Sequence, residues 1–88
     1  MHLLNLTHDA YDFVKSLQAK QYRQVVSKIL ELTKNPTPVD AAKLKGFDFF
    51  RVDIGEYRII YRFDNTTVYI ALVGKRNDDE VYKQLKQK

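Results

Sequence analysis

Cysteine is absent from this sequence, which removes disulfides, thiolate nucleophiles and cysteine-ligated zinc and fits a reducing cytoplasm. Histidine is nearly absent: His2 and His8 are the only two, both close to the N-terminus. The adjacent pair His8-Asp9 lacks the further ligands a metal centre needs, so no metal and no cofactor is expected. The three glycines, Gly46, Gly55 and Gly74, stand singly. None builds a phosphate-cradling loop, which argues against a nucleotide-using enzyme. No stretch approaches the roughly 20 apolar residues of a membrane span, and the N-terminus lacks the apolar run and cleavage pattern of a signal peptide. The expected location is the cytoplasm, with no membrane partner.

What the chain does have is basic charge and short apolar segments. Its 88 residues carry fifteen Lys and Arg against eleven Asp and Glu, a net charge of +4. That balance favours an acidic or polyanionic partner through long-range attraction. The length predicts one domain, 1–88, burying roughly 60–65% of its unfolded surface.

The organising stretch is 49–82. Taking Gly55-Glu56 as a two-residue type II′ turn pairs Ile54 with Tyr57, Asp53 with Arg58, Val52 with Ile59 and Arg51 with Ile60, because loop length sets hairpin register. A second turn at Asp64-Asn65 pairs Tyr61 with Val68, Ile59 with Ile70 and Tyr57 with Leu72. Strand alternation then sorts two faces. A core face carries Phe50, Val52, Ile54, Tyr57, Ile59, Tyr61, Phe63, Val68, Ile70 and Leu72. A mixed face carries Arg51, Asp53, Arg58, Arg62, Thr67 and Tyr69 with Ile60, Ala71 and Val73.

Upstream, the apolar run 3–6 predicts an edge strand, and Thr7 is placed to cap a helix. Ala10, Phe13, Val14 and Leu17 fall at helical spacing, and Tyr22, Val25, Val26, Ile29 and Leu30 repeat it in a second helix whose wet side holds Lys20, Arg23, Lys28 and Glu31. Asn35-Pro36-Thr37-Pro38 ends that helix. The segment 39–46 reads either as one helical turn or as a loop ending at Gly46. After the meander, Asn77-Asp78-Asp79-Glu80 offers an N-cap and first-turn acids for a short C-terminal helix anchored by Val81 and Leu85. The expected class is α+β: two antiparallel N-terminal helices on one face of a small antiparallel sheet, made of the meander and an N-terminal edge strand.

The order and spacing of several pieces carry a resemblance. They are Lys43-Leu44-Lys45-Gly46, the strand 50–54, Glu56-Tyr57-Arg58-Ile59-Ile60-Tyr61, Val73-Gly74-Lys75-Arg76 and Glu80-Val81-Tyr82. Together they resemble the RelE/ParE superfamily, toxins of bacterial toxin–antitoxin pairs, and within it the mRNA-cleaving RelE branch. The resemblance implies a RelE-like fold and a metal-independent endoribonuclease that cuts mRNA in the ribosomal A site, with a cognate antitoxin as partner and operator DNA bound only through the antitoxin complex. It assigns catalytic positions to Arg51, Arg58, Arg76 and Tyr82. Lys43, Lys45, Arg62 and Lys75 are candidate RNA contacts, with ordinary solvated cations as the alternative. Asp53 departs from the family pattern, which often has a lysine there. A ParE-like toxin that inhibits DNA gyrase by binding is the alternative, and a nontoxic relative acting only within a repressor complex is a third.

Overall fold

The computed structural model describes residues 1–77. Tyr82 and the expected C-terminal helix lie outside the described residues. The element order is β1 (Leu3–Leu6), α1 (His8–Lys15), α2 (Ala19–Lys34), β2 (Ala42–Lys43), β3 (Phe50–Ile54), β4 (Tyr57–Phe63) and β5 (Thr67–Lys75). The strands form one sheet in the order β1-β5-β4-β3-β2. Strand β1 runs parallel to β5 and every other pairing is antiparallel. The expected edge strand is therefore present, the sheet is mixed, and 39–46 resolves into neither alternative: it contributes β2, the second edge.

The β3–β4 hairpin has the register expected from its turn, from Ile54 opposite Tyr57 to Arg51 opposite Ile60. Gly55 takes φ +59 while Glu56 has no positive φ. That is the type II′ pattern, which only glycine adopts without steric cost at the first position.

The β4–β5 register differs from the expectation for two reasons. The connection is longer, because Asp64 Oδ1 accepts from the Thr66 and Thr67 amides at 2.9 Å each and Asp64 N donates to Thr67 O at 3.0 Å. This side-chain-built turn spans 64–67 and pairs Phe63 with Val68, a competition with the backbone typical of aspartate. Further along, Tyr61 pairs with Ile70 but Ile60 pairs with Leu72, so Ala71 is an extra residue, a β-bulge. Since side chains alternate, one inserted residue exchanges the faces of everything after it. Val73 consequently joins the main core and Leu72 faces the other way, the reverse of the expected assignment.

The main core places Ala10 and Val14 of α1 and Val25, Ile29 and Leu32 of α2 against Val52, Ile59, Tyr61, Val68, Ile70 and Val73 of the sheet. Leu32 replaces Leu30 in the stripe expected for α2: Leu30 and Tyr22 are 51% and 44% exposed. Lys28, expected on the wet side, is largely covered, with its ammonium 2.8 Å from Asp40 and 3.3 Å from Glu31. The buried Tyr61 hydroxyl donates to Pro36 O at 2.6 Å, so the helix-terminating segment is tied to the sheet. On the opposite face Leu44, Ile60 and Leu72 form a second small cluster with Phe47 and Phe49. The expected bare polar face is therefore partly roofed by 44–49, which explains why Ile59 and Ile60, adjacent and pointing opposite ways, are both fully buried.

Thr7 links helix to sheet. Its Oγ1 accepts from the Ala10 amide at 3.1 Å, capping α1, and donates to Ala71 O at 2.7 Å, while its amide donates to Ile70 O at 3.1 Å. Replacing Thr7 by alanine is expected to lower the unfolding free energy by about 1–3 kcal/mol, since a cap is lost and the bulge carbonyl loses its donor. Thr7→Ser, which keeps the hydroxyl, should cost under about 1 kcal/mol. Urea unfolding of both variants checks this; equal stability would mean that the hydroxyl anchors nothing.

Candidate functional site

Arg51 and Arg58 meet the carboxylate of Asp53 at the Gly55 end of the sheet, and Arg76 is near enough for its charge to act on the same group. Asp53 and Arg58 are direct cross-strand partners, so both side chains leave the same face at the separation of a bidentate ion pair. Arg58 Nε donates to Asp53 Oδ1 at 2.7 Å and Arg58 Nη2 to Oδ2 at 3.1 Å. Arg51, two residues before Asp53 and therefore on the same face, brings Nη1 to 3.9 Å from Oδ2. Arg76 follows the end of β5, where its amide donates to Glu56 O at 2.9 Å. That bond brings the chain beyond the last strand alongside the β3–β4 turn. The hydrogen bonds from Arg58 hold the Asp53 carboxyl below its ordinary range against a raising effect of burial, and the charges of Arg58, Arg51 and Arg76 act in the same direction as the bonds.

The cluster therefore includes three of the four residues expected at the catalytic positions, Arg51, Arg58 and Arg76. Among the described residues, the arginines outnumber the carboxylate they surround. A site of this composition can hold a phosphate and stabilise charge that develops on it. Arg58 is mostly covered, its side chain only 17% exposed, against 35% for Arg51.

The candidate RNA contacts are more dispersed. Arg62, two alternations beyond Arg58 on β4, is exposed and stacks on Tyr69 with its guanidinium carbon 4.1 Å from the ring centroid. Lys75 pairs with Tyr57, and the bulge turns it to the helix side, away from Arg58. Lys43 is exposed on β2 opposite Phe50, and Lys45 is exposed in 44–49. Both histidines are elsewhere: His2 Nε2 is 3.0 Å from Asp64 O, and His8 Nε2 is 3.1 Å from Asp12 on the surface of α1. Among the described residues no group of three or more histidines and carboxylates is arranged to hold a metal ion, and no helix is long and apolar enough to cross a membrane.

A second surface was not read from the sequence. Between α1, α2 and β1 runs an apolar groove lined by Leu4, Leu6, Tyr11, Tyr22, Val26 and Leu30, with Lys15 at its rim. Leu4, Tyr11, Tyr22 and Leu30 are each at least 40% exposed, and β1 beside them is an edge strand. Its sequence signal was the excess of apolar residues around α2, where Tyr22, Val25, Val26, Ile29, Leu30 and Leu32 cover more than one side of the helix.

An α+β domain with two helices packed on a mixed five-stranded sheet matches the fold of RelE toxins. The toxin–antitoxin complex RelBE2 from Mycobacterium tuberculosis contains a chain 26% identical to this one, with a TM-score of 0.74 over 85% of this chain and 98% of that chain. A doubly substituted form of Escherichia coli toxin RelE in the free state is 24% identical, with a TM-score of 0.79 over 98% of this chain and 96% of that chain. The YoeB/ParE toxin from Agrobacterium tumefaciens is 18% identical, with a TM-score of 0.72 over 84% and 98%. No curated protein sequence matches the chain. Residues 5–80 match the family described as the ParE toxin of the type II toxin–antitoxin system, parDE. The chain belongs to that family, a RelE/ParE superfamily toxin close to the RelE branch.

Because the Asp53 carboxyl is held below its ordinary 3.8, its pairing contributes stability that is present above about pH 4 and is lost as the pH falls through the folded-state value. An NMR titration of the Asp53 carboxyl carbon should give a midpoint below 3.8, and Arg58→Gln should move it upward. The same midpoint in both proteins would show that Arg58 is not the source of the shift.

Proposed function

We propose that this toxin is a ribosome-dependent endoribonuclease that cleaves mRNA in the A site, and that a cognate antitoxin neutralises it. The observation that carries the reading is the placing of Arg51 and Arg58 on one face of the sheet around Asp53, with Arg76 just beyond the last strand and its charge acting on the same carboxylate. In this scheme the RNA supplies its own nucleophile. The 2′-hydroxyl attacks the adjacent phosphorus, the 2′-O–P bond forms, and the P–O5′ bond breaks to leave a 2′,3′-cyclic phosphate and a 5′-hydroxyl. The protein must orient the attacking oxygen, neutralise the phosphorane and move two protons.

Arginines 51, 58 and 76 neutralise charge. They are poor acids, since guanidinium stays protonated to pH values above about 12. Tyr82, outside the described residues, is the proposed base, with nearby cations favouring its phenolate over an ordinary pKa near 10. The arginine set contains no histidine, so cleavage of free RNA is expected to be slow, and the ribosome supplies the alignment. Lys43, Lys45, Arg62 and Lys75 are proposed to steer the message, through contacts that weaken steeply with salt.

A second reading, inhibition of gyrase by binding, is favoured by one feature. Asp53 already occupies the centre of the arginine cluster, so a phosphate has to compete with it. Mapping mRNA 5′ ends after induction separates the two. Cuts phased to codons on ribosome-bound messages, reduced about 10²–10⁴-fold by Tyr82→Phe, are expected for the nuclease. Intact messages with a DNA-damage response would establish the gyrase reading instead.

The antitoxin is proposed to seat an amphipathic, acidic segment in the groove between α1, α2 and β1, and operator DNA is reached only through that complex. Two of the structurally similar RelE chains were solved in complex with RelB, and a cationic toxin favours an acidic partner. Leu30→Asp places a like charge against such a segment at an exposed position. It is expected to weaken antitoxin binding at least about tenfold with little change in toxin stability. Unaltered affinity by calorimetry would remove the groove from the interface.

A further inference from the structure

We propose that Arg62 and Tyr69 form a nucleobase-stacking platform that holds a base of the message away from the scissile phosphate, an inference that rests on the RNA-cleaving reading above. The two residues are direct cross-strand partners, and the guanidinium carbon lies 4.1 Å from the tyrosine ring centroid. The far end of the ring is tethered: Tyr69 Oη donates to Asp64 Oδ2 at 3.1 Å. Asp64 is itself fixed by the Thr66 and Thr67 amides at 2.9 Å each. Those backbone bonds and further ones from the Thr66 hydroxyl and Tyr69 hold its carboxyl down at about 2, against a small opposing effect of burial. It therefore stays an acceptor at any working pH.

Arg62 is exposed, so the side of its guanidinium away from the ring is open to solvent. An exposed cation–π pair adds only about 0.5–1 kcal/mol to a fold, so the pair does little to hold the two strands together. A flat, oriented cation suits the unstacked bases of single-stranded RNA, which stack on guanidinium planes as well as on aromatic rings.

Position supports this occupant. Arg62 lies four residues from Arg58 along β4 on the same face, about 13 Å at the rise of an extended strand. Lys45 stands exposed on the 44–49 segment that roofs Ile60 between them. A single strand whose phosphate sits at the arginine cluster passes a lysine and reaches the platform. Since every base has a π face, the platform fixes the register of the message without selecting a base by hydrogen bonding.

The test is the intact protein titrated into a short single-stranded RNA, 2′-O-methylated so that it cannot be cut, with 2-aminopurine placed at successive positions. Quenching confined to one position and lost in Arg62→Lys, with affinity reduced about fivefold to hundredfold, is the expected result, because lysine keeps the charge and loses the plane. Tyr69→Phe should weaken the quench while leaving the dependence of binding on salt unchanged. If Arg62→Lys binds and quenches like the parent while Arg76→Ala binds weakly, the platform is overturned and the RNA reading stands. If the parent and Arg76→Ala bind the RNA equally poorly, both fall together.

Discussion

The extra residue in β5 is the constraint on which the rest of this structure depends. Without the bulge at Ala71, strand alternation would put Leu72 in the helix-side core and Val73 on the reverse face. With it, Val73 enters the main core, Leu72 supports the 44–49 segment, and the residues beyond are re-aimed before the chain reaches Arg76. A bulge exposes a ladder group that needs a partner. Here the Thr7 hydroxyl supplies it at 2.7 Å while the same oxygen caps α1. One threonine therefore fixes both the entry of the first helix and the phase of the last strand, while Arg51 and Arg58 take their common face from the β3–β4 register.

The cluster poses an electrostatic problem that Asp53 resolves. Three guanidinium groups brought to one end of a small sheet repel each other in the absence of an anion, and Arg58 is too covered for water to screen it fully. A carboxylate on the adjacent strand provides two bonds to Arg58 and a weaker interaction with Arg51. The cluster can thus be held together before substrate arrives. On the proposed reading, the same carboxylate then competes with an incoming phosphate for Arg58, so Arg51 and Arg76 are left to make first contact. This ordering agrees with their positions, Arg51 more exposed than Arg58 and Arg76 exposed beyond the strand end.

What could be read from the sequence follows from how local each signal is. The Gly55 turn needs a positive φ at one residue, so the β3–β4 register and the Asp53–Arg58 pairing were legible before any coordinates. So were the Thr7 cap and the stop at Asn35-Pro36. The Asp64 turn was misjudged because Asp-Asn suggests a two-residue turn, while the aspartate side chain prefers to bond amides two and three residues on. The bulge leaves no mark in the sequence: alanine fits either strand geometry, and its reason is a hydroxyl distant along the chain. The second apolar cluster and the apolar groove were hidden for a related reason. Phe47, Phe49, Ile60, Tyr22 and Leu30 are apolar at positions where a two-layer reading expects only one buried side.

The two functional surfaces lie on opposite sides of the sheet. Leu4 and Leu6 pair with Val68 and Ile70, residues of the helix-side core, so the apolar groove opens on the helix side, while Arg51 and Arg58 leave the reverse face. A segment held only in the groove would leave the arginine cluster open. On the proposed reading, inhibition through that groove therefore requires one of two things: the bound partner must be bulky enough to keep the toxin out of the A site, or its chain must cross the sheet edge to reach the arginines. The edge nearest the groove is β1, whose outer backbone groups face no other strand among the described residues. A partner that leaves the groove along β1 can add a strand there before turning to the basic face, with main-chain hydrogen bonds giving affinity that is largely independent of its sequence. The geometry thus favours a partner that wraps around the domain over one that plugs its active site.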